Sequence, residues 1–164
     1  EISECLVGSE MCIRDRADIA AAGHQIALHS ASHEYSDIYR GSDAYWQDIA
    51  LLKQRIAPYV DAESIRYLRF PGGSTNTVSR RYGGRGVMVE LKQQCAEKGY
   101  AYVDWNVDAQ PTKEEAFNKL LPRVHPGAIV LLHNTSKTNG EILDELLTKW
   151  EEMGYTFKPL SELK

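Results

Sequence analysis

The sequence is short of cysteine, of long apolar runs and of basic charge, and each shortage excludes a class of protein. Only three of the 164 residues are cysteines, Cys5, Cys12 and Cys95, and their spacing fits neither a zinc cluster nor a disulfide framework. No apolar run approaches the roughly 18 residues that span a bilayer, and no basic leader precedes an apolar stretch. We therefore expect no membrane segment and no signal peptide in this chain. The 19 basic residues against 23 acidic ones give a net charge of -4, which argues against a nucleic-acid partner.

The composition is that of an ordinary globular protein. Hydrophobic residues make up 43% and charged residues 26%, which excludes disordered and fibrous classes. The length predicts one domain with a core of its own.

The first sixteen residues, EISECLVGSEMCIRDR, differ from the rest because they show neither a helical nor a strand period. They resemble a translated sequencing-adapter fragment. We predict that residues 1–16 are non-native and that residues 17–164 hold the domain. A genuine irregular N-terminus is the alternative.

From Ala17 onward, helix-like and strand-like runs alternate. The strand-like runs are 24–28, 67–70, 100–105, 128–132 and 155–157. Between them, apolar residues recur at helical spacing, with Ser42 and Thr112 as expected caps. This alternation predicts an α/β fold with a largely parallel sheet.

Polar residues follow the strand-like runs. They are His29, His33, Arg69, Asp104, Asp108 and His133. Because active sites of parallel α/β folds lie at the C-terminal ends of the strands, we expect these side chains to meet at that edge of the sheet.

His29 and His33 form the sharpest local signal. At a spacing of four, two imidazoles share one face of a helical turn, and both can reach one zinc ion at about 2.0–2.1 Å. A catalytic zinc usually has three protein ligands, and the sequence offers no convincing third one here. The spacing is also common on ordinary helices, so it indicates a metal site only together with its position after a strand.

Four motifs in order carry a resemblance to a known family. They are HSASH at 29–33, RFPGG at 69–73, DWNVDAQ at 104–110 and LLHNT at 131–135. In this order the chain resembles the polysaccharide deacetylases of carbohydrate esterase family 4, the NodB-homology domain, and among them bacterial peptidoglycan N-acetylglucosamine deacetylases. The resemblance implies a distorted (β/α) barrel and hydrolysis of N-acetyl groups that depends on a divalent metal, in this family usually zinc. His29 and His33 would be the metal ligands.

The resemblance also implies roles for five further residues. Arg69 would hold the carboxylate of the catalytic base, and the Gly72 N–H would help to form the oxyanion hole. Trp105 and Leu131 would line the acetyl pocket. His133 would be the general acid that protonates the leaving amine.

Two departures from the family pattern bear on activity. The motif T-F-D-D-G, which supplies the base and the third metal ligand, is absent from the printed sequence and is expected upstream of Ala17. We therefore expect that this chain forms an incomplete barrel and has no deacetylase activity. The carboxylate that orients the catalytic histidine is replaced by Pro111, and Asp108 or Asp104 would take its place.

The resemblance implies a glycan substrate, either peptidoglycan or a chitin-like oligomer, and an extracellular or cell-wall location for the intact parent. A non-catalytic glycan-binding module of the same fold is the alternative function. A native T-F-D-D-G motif in the parent gene would separate the two.

Overall fold

The computed structural model describes residues 18–108, 113–133 and 137–162. The chain forms two compact units, of which the first ends at Asp104 and the second begins at Trp105. Each unit has its own apolar core.

Helices make up most of the first unit. After a helical turn at 18–21, the helices are α1 (Tyr35–Ile38), α2 (Ser42–Ile56), α3 (Val78–Gly83) and α4 (Val87–Glu97). The two strands are β1 (Tyr67–Leu68) and β2 (Ala101–Tyr102).

The strands of the first unit are short and parallel. β1 pairs with β2, and Leu28 forms a parallel bridge to Leu68. The predicted strand at 24–28 is thus reduced to one bridging residue, although the predicted parallel pairing is confirmed. Buried Leu28 and Leu68 lie at the centre of this arrangement, and the residues that follow them emerge at the same end.

The apolar spacing predicted the two long helices of this unit correctly. Tyr45, Ile49 and Ile56 of α2 are buried. The expected cap Ser42 is instead the first helical residue, and its hydroxyl donates to Glu90 Oε1 at 2.6 Å. Helix α4 buries Cys95, and burial raises the pKa of that thiol to about 11.

The second unit contains one parallel strand pair and two longer helices. The strands are β3 (Val107–Asp108) and β4 (Val130–Leu131). The helices are α5 (Lys113–Leu120) and α6 (Lys137–Glu152), with 3-10 turns at Leu121–Arg123 and Leu160–Glu162. The core consists of Val107, Leu120, Ile142, Leu146 and Trp150. Among the described residues, no helix is both long enough and apolar enough to cross a membrane.

Two local predictions for this unit were wrong. Residues 155–157 do not form a strand, because the Tyr155 N–H donates to the Trp150 carbonyl and its hydroxyl to the Val124 carbonyl, at 3.0 and 3.3 Å. The run 128–132 is not covered on both faces, since Leu131 alone among its residues is buried. The expected cap Thr112 lies outside the described residues.

Gly83 allows α3 to lie against the end of α1. A Cβ atom at this position would overlap the Tyr39 carbonyl oxygen and lie 2.9 Å from Val87 Cβ. We predict that Gly83→Ala destabilises the protein by at least about 2 kcal/mol through overpacking, which corresponds to a Tm loss of roughly 4–8 °C. Gly86→Ala is the control, because nothing lies within 4 Å of its Cβ position. Equal melting temperatures for the two variants would contradict this account of the packing.

Candidate functional site

The histidine pair lies in the loop that follows the Leu28 bridge. The ring centroids of His29 and His33 are 5.1 Å apart, with an interplanar angle of 54°. The predicted proximity is therefore confirmed, but the predicted helical turn was wrong. Residues 29–33 are not helical, and His33 has a φ of +55°. A non-glycine residue in this region costs on the order of 1–3 kcal/mol, and such strain often marks a functional site.

Asp48 of α2 accepts three hydrogen bonds from the loop. Asp48 Oδ2 accepts from the Ser30 hydroxyl and from the Ala31 N–H, both at 2.7 Å. Asp48 Oδ1 accepts from the Ser32 N–H at 3.0 Å. The Ser30 Oγ in turn accepts from the His33 N–H at 2.9 Å. These bonds fix the loop backbone, including the residue with positive φ.

The two imidazoles fit a zinc ion. His29 Nδ1 lies 2.8 Å from the Arg69 carbonyl oxygen, which can only accept, so Nδ1 carries the proton and the lone pair is on Nε2. Two imidazoles on one tetrahedral zinc at about 2.0–2.1 Å place their ring centroids about 5 Å apart, which matches the observed separation. Among the described residues, no group of three or more His, Cys, Asp or Glu side chains could hold a metal. Asp37, which lies eight residues after His29, is exposed on α1 and belongs to no such group.

Arg69 lies beside the histidine loop because of the strand pairing. Its N–H donates to the Leu28 carbonyl at 2.8 Å, and its own carbonyl oxygen accepts a hydrogen bond from His29 Nδ1. The side chain is buried, at 6% exposure. A buried guanidinium requires an acceptor, so Arg69 is not an ordinary surface cation.

The Pro71-Gly72-Gly73 turn follows Arg69 directly. Gly72 and Gly73 have φ angles of +76° and +82°, which favour glycine. The buried Tyr39 hydroxyl donates to the Pro71 carbonyl at 2.7 Å, and the Asn76 side-chain amide donates to the Gly73 carbonyl at 2.7 Å. This turn leaves Gly72 exposed, as an oxyanion donor must be. Its role as one stays a prediction.

Tyr35 connects the histidine loop with this turn. Its ring packs edge-on against His33 with centroids 5.4 Å apart, and its hydroxyl lies 3.3 Å from the position of a Cβ atom on Gly72. Burial raises the pKa of Tyr35, so the hydroxyl remains a donor at neutral pH.

The two candidate aspartates have different surroundings. Asp104 accepts from the Ser74 N–H at 2.9 Å and from the Ser74 hydroxyl at 2.5 Å, which ties the chain after β2 to the glycine turn. Asp108 lies at the end of β3, in register with Leu131 of β4. Asp104 therefore has a local structural partner in the first unit.

The remaining predicted residues lie in the second unit. Leu131 is buried in β4, His133 follows that strand two residues later, and Trp105 precedes β3; both of the latter are half-buried. Asp108 and His133 therefore both lie at the C-terminal end of the parallel strand pair β3–β4. The expectation that His133 faces the cavity of His29 and His33 stays a prediction.

Asp48, Tyr35 and Ser74 were missed from the sequence. Ser74 follows directly on RFPGG, and Tyr35 follows two residues after the second histidine, so proximity to a motif could have indicated both. Asp48 lies fifteen residues beyond His33, within a helix whose polar face resembles any solvated one. Its role could be recognised only once the loop was seen to pack on α2.

Comparison with known proteins relates this chain to one family. Residues 13–85 match the family described as Polysaccharide deacetylase. A peptidoglycan-N-acetylmuramic acid deacetylase of Bacillus subtilis is 31% identical, over 86% of this chain and 51% of its own length. A peptidoglycan-N-acetylglucosamine deacetylase of Listeria monocytogenes is also 31% identical, over 86% of this chain and 28% of its length. The chain therefore spans about half, or less, of these relatives.

Solved structures show the same fold. The catalytic domain of a peptidoglycan N-acetylglucosamine deacetylase from Eubacterium rectale has a TM-score of 0.84 and 31% identity, covering 90% of this chain and 70% of that one. A family 4 carbohydrate esterase from Streptomyces lividans has a TM-score of 0.63 and 19% identity, covering 88% and 71%. The expected fold class, the distorted (β/α) barrel of these deacetylases, is confirmed. The chain belongs to the polysaccharide deacetylase family, carbohydrate esterase family 4.

Proposed function

We propose that the protein from which this chain comes is a zinc-dependent deacetylase that hydrolyses N-acetyl groups of a bacterial cell-wall glycan. The observation that carries the proposal is the histidine pair: two rings 5.1 Å apart, one of them with its tautomer set by the Arg69 carbonyl. Relatives that act on peptidoglycan support the substrate class. An extracellular or cell-wall location is part of the proposal, since that glycan lies outside the cell.

His29 would hold the cation through its Nε2 atom, and the imidazole of His33 would be the second ligand. When bound, a zinc ion lowers the pKa of water towards about 7 and polarises the acyl oxygen. The buried Arg69 guanidinium suits a carboxylate partner, because it can donate two parallel hydrogen bonds. The exposed Gly72 backbone would donate to the oxygen that becomes negative.

His133 would protonate the leaving amine, because histidine is the most frequent general acid in enzymes. Asp108 would orient it, since both follow the same end of the β3–β4 pair. Asp104 is the weaker candidate because Ser74 already occupies its oxygens. Trp105 and Leu131 would line the pocket for the acetyl methyl group.

The base and the third ligand would both come from a T-F-D-D-G motif ahead of Ala17. Two neutral imidazoles lack an anionic partner, and the printed sequence has no T-F-D-D-G motif. We predict that the printed 164-residue chain binds zinc weakly and releases acetate about 10²–10⁴-fold more slowly than a chain extended by the residues that the parent gene encodes ahead of Ala17, through loss of a general base. Equal acetate release by the two chains would contradict this assignment.

The roles of the histidines are separable in the extended protein. We predict that His133→Ala lowers acetate release by at least about 10² through loss of the general acid while zinc content is unchanged. His29→Ala should lose both activity and zinc. His125→Ala is the matched control, because His125 is exposed in the second unit and bonds only locally, to the Pro126 carbonyl.

Substrates and chelation complete this test. Acetate release is measured on peptidoglycan and chitin oligomers, with glucosamine and muramic acid products separated, before and after removal of metal by a chelator. Full activity without metal would overturn the zinc mechanism. Glycan binding without any acetate release would favour the alternative, a non-catalytic binding module.

A further inference from the structure

We propose that Asp48 and Arg55 of α2 are positioning residues that set the spacing of the two histidines for a metal ion. The inference rests on the proposed function, because it concerns the same pair of imidazoles. Asp48 and Arg55 lie seven residues apart, which is two helical turns, so they share one face of α2.

The two side chains hold opposite sides of one residue in the loop. Asp48 Oδ2 accepts from the Ala31 N–H at 2.7 Å, and Arg55 Nη1 donates to the Ala31 carbonyl at 3.0 Å. Ala31 is buried and lies midway between the histidines. Both peptide groups that flank it are therefore fixed to the same rigid helix.

The hold on His33 passes through Ser30. The Ser30 hydroxyl donates its proton to Asp48 and accepts the His33 N–H. Without Asp48, the Ser30 hydroxyl would lose the acceptor that orients it. The hydrogen bond that holds the His33 backbone at positive φ would then be weakened. His29 is held differently, by the Arg69 carbonyl. Loss of Asp48 should therefore release one ring and leave the other in place.

The expected loss of zinc affinity can be judged from other metal sites in proteins. Residues that orient metal ligands typically contribute about 10–100-fold to metal affinity. Asp48→Ala removes three acceptor contacts, so we expect a zinc affinity at least about tenfold weaker. Asp48→Asn keeps one oxygen for Ser30 and Ala31 and presents an amide to the Ser32 N–H, so we expect an intermediate loss.

The experiment titrates zinc by calorimetry into the chain extended by the residues that the parent gene encodes ahead of Ala17, and into variants of that extended chain. Asp43→Asn is the matched control, since Asp43 is an exposed carboxylate in the first turn of the same helix. Arg55→Gln should weaken binding in the same direction as Asp48→Asn. The metal-free Tm of each variant is measured alongside, so that Asp48→Asn and Arg55→Gln decide the question if Asp48→Ala does not fold.

A spectroscopic signature separates positioning from general stability. With Cu²⁺ as the probe, electron paramagnetic resonance should show two imidazole nitrogens bound to copper in the unsubstituted chain and in Asp43→Asn. It should show one such nitrogen in Asp48→Ala. Two nitrogens and unchanged zinc affinity in a folded Asp48 variant would overturn the proposal. Failure of the unsubstituted extended chain to bind either metal at the histidines would instead overturn the proposed function on which it rests.

Discussion

The parallel pairing of Leu28 with Leu68 is the constraint on which the candidate site depends. The ladder formed by the Leu28 N–H to the Tyr67 carbonyl and the Arg69 N–H to the Leu28 carbonyl brings two chain segments forty residues apart into register. It places the Arg69 carbonyl within 2.8 Å of the His29 ring. One backbone pairing thereby positions both the buried cation and the tautomer of the first histidine.

Packing against α2 supplies what the strand pairing cannot. The loop after Leu28 has no regular structure of its own, and its backbone N–H groups need acceptors. Asp48 satisfies them from a helix whose register is fixed by buried Tyr45 and Ile49. Helix amphipathicity and loop geometry are thus coupled, because a rotation of α2 would withdraw the carboxylate from the loop.

Sequence patterns were sufficient for the α/β class, for the helices with apolar spacing of three and four, and for the polar residues after the strands. They failed where tertiary contacts override local preference. Ser42 bonds to Glu90 instead of capping α2, and His29 and His33 meet through a left-handed residue instead of a helical turn. Asp48 could not be predicted, since a polar residue on a helix face has the same pattern whether it faces water or a loop.

The central claim is that the imidazoles of His29 and His33 are set for one metal ion, His29 through its Nε2 atom. The most direct measurement is a long-range ¹H–¹⁵N correlation spectrum of the five histidine rings, recorded without and with zinc. The account predicts that His29 carries its proton on Nδ1 before zinc is added. Zinc should then shift the Nε2 resonance of His29 and one ring-nitrogen resonance of His33, while the resonances of His24 and His125 stay in place. A His29 ring protonated on Nε2, or zinc shifts confined to other histidines, would contradict it.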